Sequence, residues 1–222
     1  MASQEPEKPG MPMTLSGDAS LALPEFDDPP PDPSGLLSAW LESAVRREVR
    51  EPFAAVLATV DGAGRASTRV VMAKEFDGAG LLFGSSRESR KGRELAGRPW
   101  ASMTFFWRET LQQLTAAGPV ETVSPEVSDR LFGDRMPVAR AATAASRQSR
   151  PLSDEAALRE RAAALLAEEE TGGIGRPAEW TGYRLVPESM EFWYGSPDRL
   201  HRRLRYDRAG IAGAWSWQRL QP

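Results

Sequence analysis

The sequence predicts a mainly β protein with peripheral helices, an α+β chain built on an antiparallel barrel or meander. Three observations predict it. Runs rich in branched and aromatic residues (Phe53 to Val60, Ser67 to Ala73, Leu81 to Phe83, Trp100 to Trp107, Leu111 to Glu121) are separated by short polar breaks. Asp61-Gly62-Ala63-Gly64 and Asp77-Gly78 are hairpin signals, and strands joined so tightly pair antiparallel, because a parallel pair needs a long crossover. The longer segments with helical spacing lie before and after this block.

Taken in order, residues 1 to 33 are rich in Pro, Ser, Asp and Glu. Pro24, Pro29, Pro30, Pro31 and Pro33 forbid regular helix or sheet, so the segment reads as a disordered tail or an arm that orders over something. Ser34 opens a helix with Leu36, Leu37, Trp40, Leu41, Ala44 and Val45 on one face, which should pack on a sheet. Ser89 caps a short helix through Leu95. Ser124-Pro125-Glu126 starts another, with a cap residue, proline at the first position and an acid at the positive end of the dipole. Pro137 to Ser146 is alanine-rich and helical, and Ser153 caps an amphipathic helix to about Glu169 with Leu158, Ala162, Leu165 and Leu166 on one face. Gly172, Gly173, Gly175 and Pro177 break it. Short strands follow at Tyr183 to Val186, Glu191 to Tyr194, Leu204 to Tyr206 and Ala214 to Leu220, so residues 34–222 read as one domain.

Composition narrows the chemistry. The 222 residues are 41% hydrophobic, enough for a core, and 28 basic against 31 acidic residues give a net charge of −3, with no global attraction to nucleic acid or an anionic membrane. The absence of cysteine excludes disulfides, thiolate metal sites and a cysteine nucleophile, and a single histidine argues against zinc. No run approaches the roughly 18 apolar residues needed to span a bilayer, and Gln4, Glu5 and Glu7 are unlike a signal peptide, so a soluble cytoplasmic protein is expected. GxGxxG, GxxxxGK[ST] and GxSxG are all missing, which leaves a Rossmann site, a P-loop and a hydrolase elbow without support.

The stretch from Glu191 to Arg203 holds that one histidine, His201, among Arg199, Arg202 and Arg203, with Trp193 upstream. Alternation along a strand would put Arg199, His201 and Arg203 on one side, a cradle for an anionic planar ligand; a solvated basic strand edge fits the same residues. Three further clusters stand out. Arg69 and Lys74 bracket an apolar run, and Ser85 to Lys91 gathers hydroxyls, cations and a helix start that suit a phosphate, or a solvated loop. The amides Gln112 and Gln113, with Ser146-Arg147-Gln148-Ser149, can read a heterocycle edge, or are exposed strand amides.

Six ordered motifs spread over residues 34 to 222 resemble the pyridoxamine 5'-phosphate oxidase family. They are Arg69-Val-Val-Met-Ala-Lys74, Ser89-Arg90-Lys91, Phe105-Phe-Trp107 followed by Gln113, Ser146-Arg-Gln-Ser149, Glu191-Phe-Trp193 and Arg199-Leu-His201-Arg-Arg203. Lys91-Gly-Arg-Glu-Leu95, Pro99-Trp-Ala-Ser102, Trp107-Arg-Glu-Thr110 and Arg219-Leu-Gln-Pro222 are more similar to its phenazine-biosynthesis branch.

The resemblance implies a split β-barrel homodimer with FMN at the subunit interface. By motif, Arg69, Val70, Val71, Met72, Lys74, Gly84, Ser85, Arg90 and Lys91 would hold the cofactor. Gln113 would read its ring, and Gln148, Ser149, Trp193 and Arg203 would complete the pocket, partly from the second subunit. Arg199 and His201 would face the substrate. Where the vitamin B6 enzymes hold the substrate phosphate with a lysine, a tyrosine, an arginine and a serine, this chain has Lys74, Leu131, Arg135 and Ala139. Two hydroxyl donors are gone, each worth about 1.5 to 3 kcal/mol to a charged group, and the pocket becomes wider and more apolar, which suits a tricyclic ring. Arg202 stands where the family usually carries an acid. The expected reaction is oxidation of a reduced phenazine carboxylate precursor, with electrons passing through FMN to dioxygen and hydrogen peroxide formed. Two rivals are the oxidation of pyridoxine or pyridoxamine 5'-phosphate and a non-catalytic flavin- or haem-binding barrel.

Overall fold

The computed structural model describes residues 21–222. In chain order the elements are α1 (Ser34–Arg46), β1 (Ala54–Val60), β2 (Ala66–Phe76), β3 (Leu81–Ser86), α2 (Arg90–Gly97), β4 (Trp100–Trp107) and β5 (Gln112–Thr122). There follow α3 (Pro125–Gly133), α4 (Pro137–Ala145), α5 (Glu155–Gly172), β6 (Trp180–Leu185), β7 (Ser189–Tyr194), β8 (Arg202–Asp207) and β9 (Ser216–Leu220). The strands order β4-β1-β2-β3-β6-β5, and pairing of β4 with β5 closes these six into a barrel; β7, β8 and β9 extend from β5 as a second sheet. All pairings are antiparallel. This is a split barrel, as expected.

The split is made by β5. Along one edge Gln112 to Pro119 pair with β4, whereas along the other Gln112 to Ala117 pair with β7 and Val120 to Thr122 pair with β6. Gly118 occupies the changeover. A Cβ there would lie 2.0 Å from the Val186 carbonyl oxygen, so only glycine lets the β6–β7 turn approach this closely.

Inward residues alternate along the strands and meet as one core around Leu57, Phe83, Met103, Phe105, Leu114, Phe192 and Tyr206. Helix α1 seals it, because Leu37, Trp40, Leu41 and Ala44 recur on one face; the Trp40 ring lies 5.1 Å from Phe192 and 6.2 Å from Trp107. A smaller cluster of Leu82, Leu131, Phe132 and Trp180 binds α3 to the barrel's outside.

Several local expectations need correction. The cap of α5 is Asp154, whose carboxylate accepts the Ala157 N–H at 2.9 Å, and not Ser153. The apolar face of α5 is only partly covered: Leu158, Ala162 and Leu165 are half-buried and Leu166 is exposed. The expected arm, residues 1–33, falls partly outside the described residues. From residue 21 it packs on the core through a short 3-10 turn, Pro24–Phe26, with Phe26 buried. Proline at the first position of that turn loses no hydrogen bond. Arg199 does not continue a strand with His201 and Arg203: its φ of 67° puts it in a turn, and β8 begins at Arg202. Among the described residues no helix is long and apolar enough to cross a membrane, and no three potential metal ligands converge.

Gly118→Ala is expected to destabilise the fold by about 2 kcal/mol, as overpacking does, lowering the urea midpoint with the denaturant slope unchanged.

Candidate active site

A cleft of about 680 Å³ opens where the outer edge of β2 and β3 meets α2, α3, α4 and the segment after α4. Its wall carries Arg69, Lys74, Lys91 and Arg135 against a single carboxylate, Glu179. An anion is the chemistry such a wall attracts.

Arg69 faces the barrel interior together with Ser67, Val71 and Ala73, by the two-residue period of β2. Its guanidinium donates to the Leu57 carbonyl, Thr59, Ser67 and Glu94. Glu94, on α2 and buried, also accepts from Thr59, Ser67 and Arg90. Burial alone would raise its pKa, but these hydrogen bonds outweigh burial and hold it at about 2. Arg90 spends its side chain on Glu94 at 2.8 Å, while Lys74 is the extra residue of a β-bulge between Ala73 and Glu75, which brings it to the cleft.

Lys91 and Arg135 differ from the other cations. Lys91 is buried at the first turn of α2 and meets only the Ser89 hydroxyl, at 3.4 Å. Desolvation, with repulsion from Arg69, pushes its pKa down to about 8. Arg135 bonds Thr143 at 2.7 Å and lies against the rings of Phe132 and Trp180, 5.8 and 5.6 Å away; burial and the nearby Arg140 lower its pKa. Among the described residues neither cation has a carboxylate partner. A buried cation left without one is stabilised by an anionic ligand.

Around them the cleft is shaped by small and apolar residues. The Trp180 indole lies over Gly84, where a Cβ would come within 2.1 Å of the ring. Ser85 donates to Gln148 at 3.3 Å, and Ser149, in the left-handed region, accepts the Arg90 N–H at 3.2 Å. The segment after α4 is thereby docked on the start of α2. Leu131, Met136, Val138, Ala139 and Ala142 form the apolar side.

Gln113, Trp193, Arg199, His201 and Arg203 lie outside this cleft. Register brings three of them together: Phe106 faces Gln113, Gln113 faces Trp193 and Trp193 faces Arg203, one row across β4, β5, β7 and β8. Arg203 is held by Glu191 at 2.8 Å, and His201 packs 5.0 Å from the Trp193 ring with Nδ1 buried and, among the described residues, unpartnered. The next row runs Val70, Val56, Thr104, Thr115, Glu191, so the cleft wall and the Trp193 row share one outer sheet face. That face exposes Val56, Val70, Met72, Trp100 and Phe106.

Residues 41–167 match the family described as pyridoxamine 5'-phosphate oxidase, and residues 180–222 match the pyridoxine 5'-phosphate oxidase C-terminal dimerisation region. The chain belongs to the pyridoxamine 5'-phosphate oxidase family. Family membership makes it an oxidoreductase. Dihydrophenazinedicarboxylate synthase of Burkholderia lata is 44% identical over 210 residues, covering 94% of this chain and 97% of that protein. Pyridoxine/pyridoxamine 5'-phosphate oxidase of Paraburkholderia phymatum is 41% identical over 203 residues, covering 91% and 95%. The crystal structure of PhzG from Burkholderia lata 383 in complex with tetrahydrophenazine-1-carboxylic acid matches with a TM-score of 0.87 at 44% identity, over 93% of this chain and all of that one.

Sequence reasoning missed Glu94, Trp180 and Thr143. Glu94 was legible only as a residue four beyond Arg90 on a helix; its partners come from β1 and β2, and nothing local signals them.

Glu94→Gln should cost about 3 kcal/mol by leaving the largely enclosed Arg69 without its charge partner. Because the Glu94 pKa is depressed, its contribution is full above about 4.5 and is lost as pH falls towards 2. Thermal unfolding of the wild type and the variant should therefore converge in acid.

Proposed function

We propose that this chain is an FMN-dependent oxidase of phenazine biosynthesis, acting on a reduced, carboxylated tricyclic precursor. The observation that carries the reading is the cleft with two desolvated, carboxylate-free cations, Lys91 and Arg135, beside an apolar wall. FMN fits the Lys91 side. Ser85, Lys91 and the N-terminus of α2 offer hydroxyl, charge and dipole to a phosphate, and Arg69 is already preorganised by Glu94. When bound, FMN supplies the redox chemistry, taking two electrons from the substrate and passing them to dioxygen, which leaves as hydrogen peroxide.

The reading includes a homodimer. The exposed apolar sheet face runs from the cleft wall to the Trp193 row, within reach of the family's dimerisation region, and a second copy would cover it. In that arrangement Gln113, Trp193 and Arg203 of each chain would complete the partner's cleft, with Gln148 and Ser149 supplied beside Lys91. Arg199 clamps a ring carboxylate from its turn, and the unpartnered His201 Nδ1 bonds the substrate's polar edge. Arg135 holds a second carboxylate, oriented by Thr143. Leu131 and Ala139 remove two hydroxyls that a phosphate ester would use, and Met136 and Val138 extend the apolar wall for a wide ring.

Oxidation of pyridoxine 5'-phosphate is the second reading, favoured by the retention of Lys74 and Arg135 and by the 41% identity to such an oxidase. Oxygen uptake by the FMN-loaded protein should be faster with a freshly generated reduced phenazine dicarboxylate, above its autoxidation with free FMN, than with pyridoxine 5'-phosphate. The opposite order would replace the first reading by the second. Leu131→Tyr combined with Ala139→Ser should raise kcat/KM for the phosphate ester by at least about tenfold, the worth of one of the two regained charged hydrogen bonds.

Lys91→Met should weaken FMN binding at least about tenfold, the loss of one charge-assisted contact. Without cofactor the same variant should be as stable as the wild type or more so. The Lys91 pKa is depressed, so its ammonium costs stability below about 8, and that cost fades as pH rises towards 10.5. Fluorescence titration with FMN and thermal melts at pH 7 and pH 10 check both halves.

A further inference from the structure

The loop between β7 and β8 carries Arg199 and His201, yet it is held mainly by itself. Its hydrogen bonds among the described residues run from Ser196 to Asp198, from the Leu200 N–H to Asp198 and from the Arg199 N–H to the Ser196 carbonyl. At its start, the Gly195 N–H donates to the Leu111 carbonyl at 2.9 Å. Its end is held by the β7–β8 ladder, which sets Arg202 opposite Tyr194, and by the Arg202 side chain. Along β8, Leu204 and Tyr206 turn to the core, so Arg202 turns that way too, while Arg203 and Arg205 turn to the outer face with Trp193. Arg202 is therefore directed away from both of its chemically employed neighbours.

On that inner side lies the strap of residues 21–33. The Arg202 guanidinium lies 4.9 Å from the Phe26 ring and reaches Asp27 at 2.5 Å. The strap is itself fastened at four other points. Phe26 is buried beside Trp40; Glu25 accepts the Trp40 indole N–H at 2.6 Å; Arg219 donates to the Asp27 carbonyl at 2.6 Å; and the Tyr206 hydroxyl donates to the Pro30 carbonyl at 2.9 Å. Asp27 is thus a fixed point, and the residue between His201 and Arg203 is tied to it.

We infer that the Asp27–Arg202 pair is a strut that positions His201 and Arg203 for the reaction, with Asp27 and Arg202 as positioning residues that touch neither substrate nor cofactor. This rests on the proposed role of His201. Asp27 is largely solvent-exposed, so the pair adds little to global stability. Its effect is to limit where the loop's last residue sits, and displacements of about 1 Å in such groups can cost up to a hundredfold in rate.

Because His201 is the only histidine, its imidazole resonance is uniquely readable in the tag-free, FMN-loaded protein. Asp27→Asn and Arg202→Gln should each move that resonance and lower kcat/KM about tenfold, mostly through KM, with the Tm within about 2 °C of wild type. The exchanged pair, Asp27→Arg with Arg202→Asp, should return both the resonance and kcat/KM towards wild type, a recovery that a merely structural defect would not produce. A resonance unmoved in both single variants, or a double variant no nearer wild type than the singles, overturns the strut. If the wild type oxidises neither candidate substrate, the functional reading fails, while the resonance still decides the strut.

Discussion

The site depends on one buried carboxylate. Glu94 draws Thr59 from β1, Ser67 and Arg69 from β2 and Arg90 from its own helix into one charge-assisted network at the mouth of the barrel. Arg69 would otherwise be a cation without a charge partner among the barrel's apolar residues, and α2 would lose its side-chain ties to β1 and β2. With Glu94 ionised, the start of α2 is fixed against β1 and β2, and with it the position of Lys91. Among the described residues, Arg69 is paired with a carboxylate and Lys91 is left without one. That asymmetry separates scaffold from binding surface.

The cleft and the Trp193 row are organised by different physics. The cleft is made by helices packed on the outside of the barrel, with Trp180 over Gly84 and Arg135 wedged against Phe132 and Trp180. The Trp193 row is made by strand register alone, since each member stands opposite the next across four strands. A slip of one residue in β7 would turn Trp193 inward and Phe192 outward. The buried Phe192, pressed on Trp40 and Tyr206, forbids it. Core packing on one face thereby fixes which side chains the other face presents.

Much of this was legible in the sequence. The β block and its hairpins were readable because alternation and Asp-Gly turns are local signals, and β4 was read with its observed limits. The motif set also marked the cation-rich wall. Three things were not local. Barrel closure depends on β1 meeting β4 and β3 meeting β6 across long separations, which no window of residues encodes. The alternation argument for Arg199, His201 and Arg203 assumed an unbroken strand, and the left-handed φ at Arg199 broke it. Gln112 and Gln113 looked alike as neighbours, yet Gln112 is buried and Gln113 faces the outer row. Which of two adjacent amides meets a ligand is decided by which face the core claims.

The shared strand β5 bears on how the chain can be divided. The family's two sequence segments, 41–167 and 180–222, invite a reading as modules joined by a linker. The second segment, however, begins with β6, which is a stave of the barrel, paired to β3 along six residues and to the end of β5. A chain cut after residue 167 would lack that stave and expose two raw strand edges around an unfilled core. The two matched segments are therefore a single cooperative unit, and recombination between relatives at that boundary would have to preserve the β3–β6 seam.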